Sequence, residues 1–288
     1  MADLSRTIQT IRENIKKELT AQYPGREIEA ICDILISNRL HLKKHEIGLK
    51  RNEVLPQADQ EWFSRAIRNL KEGCPVQYIT GQAEFFGLVL YVTPDVLIPR
   101  PETEELVQWI IEQNTVQDPV ILDIGTGSGC IALALKKHLP GSSILAVDVD
   151  GSALVVAAKN ASKLQLELQF FMHDILAETP PECFPPADII VSNPPYIPRG
   201  EKQAMPANVR DLEPETALFV PDDNPLQFYS AIAGFSWKQL EIGGQLYLEI
   251  HEKFGTEVMD LLKDEGFVEI ELRKDINGKE RMIKATHQ

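Results

Sequence analysis

The sequence predicts an α/β protein with a mostly parallel sheet, preceded by a small all-helical domain. Three observations carry that prediction. Over residues 1–75, apolar residues recur at steps of three and four, the helical period. From Val120 onward, short apolar runs alternate with helical stretches, the pattern of β-α repeats that build parallel sheets. Between the first such strand and helix lies a Gly-rich turn, Asp123-Ile-Gly125-Thr-Gly127-Ser-Gly129.

Leu4, Ile8, Ile11, Ile15 and Leu19 form one apolar stripe, with Lys, Arg and Glu opposite, and Tyr23-Pro24-Gly25 ends that helix. A second helix follows through Ile28, Ile31, Ile34 and Leu35. A third runs around Trp62 to Leu70, with Pro56 and Asp59 as its start signal and Gly73 and Pro75 as its stop. Residues 76–100 are expected to link two domains through a β-hairpin, Phe85-Phe-Gly-Leu-Val-Leu-Tyr-Val92. Residues 101–288 form the α/β domain. Pro101 suits a first helical turn, where Glu102, Glu104 and Glu105 meet the positive end of the dipole; Arg100 stands extended between two prolines. Strands are expected at 120–124, 144–148, 168–172, 188–191 and 245–250, with helices at 131–138, 153–164, 226–240 and 256–263. Val268 to Leu272 and Arg281 to Ala285, joined across Asn277-Gly278, read as an antiparallel pair at the sheet edge.

Composition narrows the function classes. The chain has 288 residues, 43% hydrophobic and 25% charged, ordinary for a globular protein. Its net charge of −14 argues against bulk electrostatic binding to nucleic acid or anionic membrane, while leaving room for a basic protein partner. Cys32, Cys74, Cys130 and Cys183 form no C-x-x-C pair, so they read as buried thiols in a reducing compartment. The amino terminus has no apolar signal core and no run approaches a membrane span, which gives a cytoplasmic expectation.

The candidate site gathers at strand ends, where open α/β sheets bind ligands. The Gly125–Gly129 turn lets a ligand approach the backbone, but it lacks a P-loop Lys, and Cys130 stands where a dinucleotide fingerprint wants Gly or Ala. Asp148 ends the next strand, where a carboxylate accepts ribose hydroxyls; a solvated strand-end Asp or a helix cap is the plainer alternative. His173-Asp174 follows the third strand, where an adenine edge would lie, and Asp174 is the better candidate. Val191-Ser-Asn-Pro-Pro-Tyr-Ile197 then places Asn193-Pro194-Pro195-Tyr196 after a buried strand. Two prolines stiffen that turn. The Asn193 amide oxygen and the Pro194 carbonyl form a two-acceptor clamp for a planar NH2 group, and Tyr196 is expected to cover the planar face. A Pro-rich turn with a buried Tyr is the bland alternative.

Together these motifs resemble Rossmann-like S-adenosylmethionine-dependent methyltransferases acting on planar nitrogens. Within them the chain resembles the protein-(glutamine-N5) methyltransferases of peptide chain release factors, the PrmC/HemK family. The resemblance also rests on Pro75-Val-Gln-Tyr-Ile-Thr-Gly81, Leu97-Ile-Pro-Arg-Pro-Glu-Thr-Glu104, Glu213-Pro214 with Ala217-Leu218, and Asp275-Ile-Asn-Gly278. It implies a seven-stranded sheet and a helical domain that recognises the release factor. It also implies methyl transfer from S-adenosyl-L-methionine, leaving S-adenosyl-L-homocysteine, to the glutamine of a Gly-Gly-Gln loop, which modulates translation termination. By the resemblance the cofactor loop falls on Gly125, Thr126, Gly127, Ser128 and Gly129, the ribose acid on Asp148, and the substrate clamp on Asn193, Pro194, Pro195 and Tyr196, with Asp174 and Asn193 near the cofactor. A monomer without a metal is expected. Two departures stand out: Ile175 and Leu176 replace a frequent aromatic after Asp174, and Phe219-Val-Pro-Asp-Asp-Asn-Pro225 replaces a Gly-rich turn. Three rivals are an adenine-N6 methyltransferase, since a flipped adenine offers the same NH2, a nicotinamide-dependent oxidoreductase and a non-catalytic cofactor-binding module.

Overall fold

A computed structural model describes residues 7–177 and 184–288; Leu4 and Cys183 lie outside them. The chain divides into two compact units, one of residues 1–82 with 207–212 and one of residues 83–206 with 213–288. The helical unit therefore runs beyond residue 75.

The first unit holds helices α1 (Ile8–Leu19), α2 (Gly25–Leu40), α3 (Lys44–Leu49), α4 (Gln57–Lys71) and α5 (Val76–Thr80). The Thr7 hydroxyl caps α1 by accepting from the Thr10 N–H at 3.2 Å. The predicted stripe is the buried one: Ile8, Ile11, Ile15 and Leu19 join Ile28, Ile31, Leu35, Phe63, Ile67 and Leu70 in a single core. Ile34, placed on the α2 stripe by sequence, is 41% exposed, because Leu35 and Ile36 supply that face instead. Helix α4 begins at Gln57, so Asp59 is no cap; it sits in the first turn and accepts from Arg39 of α2 at 2.8 Å. Residues 76–80, expected in a linker, are helical.

The second unit begins within β1 (Gln82–Phe85), which pairs with β2 (Leu88–Tyr91), as expected. It continues through α6 (Pro101–Gln113), β3 (Val120–Ile124), α7 (Cys130–His138), β4 (Ser143–Asp148), α8 (Gly151–Leu164), β5 (Gln169–Met172) and β6 (Ala187–Ser192). After a two-residue strand β7 (Ile197–Pro198) and the short α9 (Ala207–Arg210, in the first unit) come β8 (Phe219–Val220), α10 (Gln227–Gln239), β9 (Leu240–Glu249), α11 (Gly255–Glu265), β10 (Val268–Lys274) and β11 (Glu280–Thr286). Acids near the start of α6 clip neighbouring loops: Glu104 accepts from the Phe86 N–H at 2.8 Å and Glu105 from the Ile276 N–H at 3.1 Å.

Seven strands form one sheet in the order β10-β11-β9-β6-β3-β4-β5. All pair in parallel except β11, which runs antiparallel to both β9 and β10. The expected antiparallel pair closes the sheet, with the reversed strand one place in from the edge. One face packs Leu106, Trp109, Ile131 and Leu135 of α6 and α7; the other packs Tyr229, Ile232, Val258 and Leu262 of α10 and α11. Each such side chain contributes roughly 1.5–3 kcal/mol when fully buried.

Register decides where the site lies. Ile124 pairs with Val147 on one side and Ser192 on the other; Asp148 pairs with Met172, and Ser192 with Leu248. The parallel strands thus end at one level. The segments following Ile124, Met172 and Ser192, together with Asp148 and Glu249 at their own strand ends, emerge side by side. Strand order turns back on itself at β3, the crevice where such sheets take ligands.

Candidate active site

A cavity of about 140 Å³ opens at that crevice. Gly125, Thr126, Gly127 and Ser128 line it from the β3 loop, Asp148 and Val149 from β4, His173, Asp174 and Ile175 from β5, and Asn193, Pro194 and Pro195 from β6. Phe228 and Ile232 of α10 and Thr103 of α6 add to the wall. Most of the predicted site residues are therefore together. Gly129 and Tyr196 are not among the lining residues.

The β3 loop is shaped by its own backbone. The Gly125 and Thr126 N–H groups donate to the Val147 carbonyl at 2.8 and 3.0 Å, folding the loop over β4. Gly127 and Gly129 adopt φ of +54° and +80°, which L side chains rarely do. A Cβ on Gly127 would meet nothing within 4 Å, leaving its face open to a ligand. One on Gly129 would lie 3.1 Å from Ala157 Cβ and 3.2 Å from Leu133 Cδ1. Gly129 therefore serves the packing of α7 on α8 rather than the cavity wall.

Asp123, one residue before the end of β3, is fully buried and was not singled out as a site residue by sequence reading. Its Oδ2 accepts from Thr126 Oγ1 at 2.6 Å and from the Ala132 N–H in the first turn of α7 at 3.2 Å. Its Oδ1 has no partner among the described residues, and neither does the buried Ser128 hydroxyl. Burial pushes the Asp123 carboxyl up to about 7, opposed by those two hydrogen bonds and reinforced by Asp148.

Asp148 is no helix cap; Asp150 caps α8 by accepting from the Ser152 N–H at 2.7 Å. Asp148 Oδ2 accepts from the Gly127 N–H at 2.8 Å and Oδ1 from the Asp150 N–H at 3.0 Å, so the carboxylate is held rigidly against the glycine loop. Burial raises its pKa as well. Asp174 Oδ1 accepts from the Leu176 N–H at 2.9 Å in a local turn. Ile175 lines the cavity, while Leu176 is 45% exposed.

Asn193 Nδ2 donates to Thr103 Oγ1 at 3.2 Å. Among the described residues, neither Asn193 Oδ1 nor the Pro194 carbonyl accepts a hydrogen bond. Both expected acceptors are unengaged. Tyr196 corrects the sequence reading: it does not cover the cavity but donates from its hydroxyl to Glu249 Oε1 at 3.1 Å, its ring edge-on to His251. A largely enclosed Tyr hydroxyl needs a partner, and Glu249 supplies it. Burial and the Glu249 charge push the Tyr196 phenol well above its ordinary pKa. The loop's exit is further fixed by β7 pairing with β8, so Phe219–Val220 is part of the site's frame rather than mere loop variation. Glu249 and Thr103 escaped sequence reading as chemistry; an acid ending the apolar run Leu246-Tyr-Leu-Glu249, like Asp148 at the end of β4, was the available signal.

Comparison with known proteins gives two family matches: the methyltransferase small domain over residues 103–210 and the PrmC N-terminal domain over residues 10–81. The release factor glutamine methyltransferase of Flavobacterium psychrophilum is 41% identical, covering 96% of this chain and 98% of that protein. Its counterpart from Bacteroides thetaiotaomicron is 40% identical over 94% and 97%. Among solved structures, a Thermus thermophilus 16S rRNA methyltransferase in complex with AdoMet and guanosine superposes with a TM-score of 0.51 at 19% identity, covering 72% of this chain and 50% of that one.

Proposed function

The chain belongs to the release factor glutamine methyltransferase family, and from that premise we propose which of its residues hold each partner in the transfer. It is an S-adenosylmethionine-dependent enzyme that methylates a release factor glutamine. The acceptor is read as the Gly-Gly-Gln glutamine, modified at its side-chain nitrogen.

The cavity's residues fit the cofactor. Gly127 has an open face, Ser128 brings an unpartnered buried hydroxyl, Asp123, which does not itself line the cavity, adds an unpartnered oxygen just before the loop, and Asp148 and Asp174 add carboxylates suited to hydroxyl and amine groups. When bound, S-adenosylmethionine supplies an electrophilic methyl on a sulfonium, and a site lined by acids favours such a cation. Gly125 to Ser128 line its binding site, with Gly129 setting the loop's geometry; Asp148 takes the ribose, and Asp174 with Ile175 takes the base edge.

Asn193 Oδ1 and the Pro194 carbonyl receive the glutamine NH2. An amide nitrogen is a weak nucleophile because its lone pair is delocalised into the carbonyl. Two acceptors on its N–H bonds hold it in line and stabilise the positive charge that grows as delocalisation is lost. Tyr196 anchors the loop through Glu249. The observation that carries this reading is the pair of unengaged acceptors on the cavity wall. The helical unit is read as the release factor recognition domain.

The test is methyl transfer from labelled S-adenosylmethionine to purified release factor, with adenine-containing DNA offered in parallel and labelled peptides mapped by mass spectrometry. Label on the Gly-Gly-Gln glutamine, lost in Asn193→Ala with cofactor binding kept and slowed in Asp148→Ala by weakened cofactor binding, is expected. Equal loss of cofactor binding in both variants, or label on DNA alone, overturns the assignment.

A further inference from the structure

We infer that Thr103 and Glu249 act as positioning residues that fix the polarity of the Asn193 amide, and so set the enzyme's preference for a carboxamide over a carboxylate. The inference rests on the acceptor clamp proposed above and asks what keeps it an acceptor.

An Asn side chain is nearly symmetric in shape. Rotating its terminal amide by half a turn exchanges Oδ1 for Nδ2 and turns the acceptor into a donor. Beside the Pro194 carbonyl that would give one acceptor and one donor, a pair that no longer selects an NH2 group and that welcomes a carboxylate oxygen.

Hydrogen-bond bookkeeping forbids the rotation. Glu249, 1% exposed, ends β9 next to the strand that carries Asn193. Burial raises the Glu249 pKa, opposed by the hydrogen bonds from Thr103 and Tyr196 and by the Arg281 charge; the ionised form, which those groups favour, can only accept. Its Oε2 lies 2.6 Å from Thr103 Oγ1 and its Oε1 lies 3.1 Å from the Tyr196 hydroxyl, so each hydroxyl must give its proton to the carboxylate. Thr103 has no second proton. Towards Asn193, 3.2 Å away, its oxygen can only accept, and Asn193 must present Nδ2 there. With Nδ2 committed, Oδ1 is the atom left for substrate. The rotated amide would set two acceptor oxygens at 3.2 Å with no proton between them. Thr103 is 2% exposed, which leaves little room for water to mend that contact.

The two anchors come from distant segments. Thr103 lies in the first turn of α6 and Glu249 at the carboxyl end of β9, and both oxygens of Glu249 reach residues that determine how the Asn193–Tyr196 loop is set. With both Glu249 oxygens accepting and the Thr103 hydroxyl proton committed, such a buried chain has one arrangement of protons rather than two.

The experiment measures equilibrium binding of two release factors, one with the native glutamine in its Gly-Gly-Gln loop and one with glutamate there, to enzyme loaded with S-adenosylhomocysteine. The wild-type enzyme is expected to prefer the glutamine form. Thr103→Val, which keeps shape but loses the hydroxyl, should shrink that preference about tenfold or more. Thr103→Ser should restore it to within a few-fold, and Glu249→Gln, whose amide donates a proton into the chain, should shrink it as Thr103→Val does. Retained binding of S-adenosylhomocysteine identifies folded protein, and Glu249→Gln carries the test should Thr103→Val fail to fold. An unchanged preference in a folded Thr103→Val or Glu249→Gln enzyme overturns the inference. Asn193→Ala separates the two layers: if it keeps the wild-type preference the clamp itself is wrong, whereas if it loses the preference while Thr103→Val keeps it, only the polarity lock is wrong.

Discussion

Replacing Gly129 and Gly127 one at a time by alanine separates what the glycine loop does for folding from what it does for binding. Both residues sit at positive φ, where an L side chain costs roughly 1–2 kcal/mol. For Gly127 that is the whole intramolecular cost, because its new methyl meets nothing within 4 Å. For Gly129 the methyl arrives 3.1 Å from Ala157 Cβ and 3.4 Å from Ala157 Cα, the latter a backbone atom that cannot rotate away. Forcing α7 and α8 apart adds the usual overpacking cost of about 1–3 kcal/mol, so Gly129→Ala should lose about 2–5 kcal/mol against about 1–2 for Gly127→Ala. At roughly 2–4 °C per kcal/mol for a domain of this size, thermal unfolding should rank them clearly. Binding should rank them the other way: Gly127 lines the cavity and Gly129 does not. Titration with S-adenosylhomocysteine should show a loss of about tenfold or more for Gly127→Ala and little change for folded Gly129→Ala. A Gly129→Ala enzyme that melts no lower than Gly127→Ala, or a Gly127→Ala enzyme that binds normally, refutes the division.

Three further perturbations test the frame around the site. Asn160 is fully buried, donates to the Tyr91 and Ser128 carbonyls at 2.9 Å each and accepts from the Tyr91 N–H at 2.6 Å; Asn160→Ala strands three backbone groups at about 1–3 kcal/mol each, which urea unfolding should register as a loss of at least about 3 kcal/mol. Arg100 donates at 2.6 Å to the buried Glu213, which also accepts from the Ile98 N–H at 3.2 Å; Arg100→Ala should cost about 2–5 kcal/mol by leaving that carboxylate short of its cation, and the double variant Arg100→Ala/Glu213→Ala should recover part of it by the same assay. Asp123 holds its proton to about pH 7 in the folded chain against 3.8 ordinarily, so its contribution to stability is greatest below the ordinary value and is lost as pH rises towards 7. A bound cation favours the ionised form, so S-adenosylmethionine affinity should rise from pH 6 to pH 8 more steeply than that of S-adenosylhomocysteine, which lacks the sulfonium charge; parallel slopes in calorimetric titrations would contradict this.

What was legible in the sequence was what is local. The α1 stripe, the strand-helix alternation, the glycine turn, Asp148 and Asn193-Pro194 are each defined by neighbours within a few residues, and each stands where the pattern placed it. Helices α3 and α5, of six and five residues, are too short for a helical period to declare itself. Tyr196 was assigned the wrong side because a Tyr after two prolines can face either the cleft or the core, and only the position of Glu249, 53 residues on, decides between them. The Thr103–Glu249 pair spans 146 residues and depends on α6 packing against β9. Thr103 was visible as part of a motif, but its partner was not.

The placement of the acids also bears on why the reaction, as proposed, needs no general base. Glu249 is the carboxylate closest in the hydrogen-bond chain to the Asn193 clamp, yet both its oxygens are occupied by Thr103 and Tyr196, and it does not line the cavity. To take a proton from substrate it would have to release a hydroxyl it now orients, and the amide clamp would lose its direction in the same step. Nor is a strong base required. As the glutamine nitrogen gives up its delocalisation and begins to carry positive charge, its N–H bonds become far more acidic, and the two acceptors strengthen their hold at the moment the barrier is crossed. Proton loss then follows transfer and passes to water. On the proton arrangement inferred above, ionised Glu249 only accepts, which keeps Thr103 an acceptor towards Asn193 and Asn193 an acceptor towards the substrate.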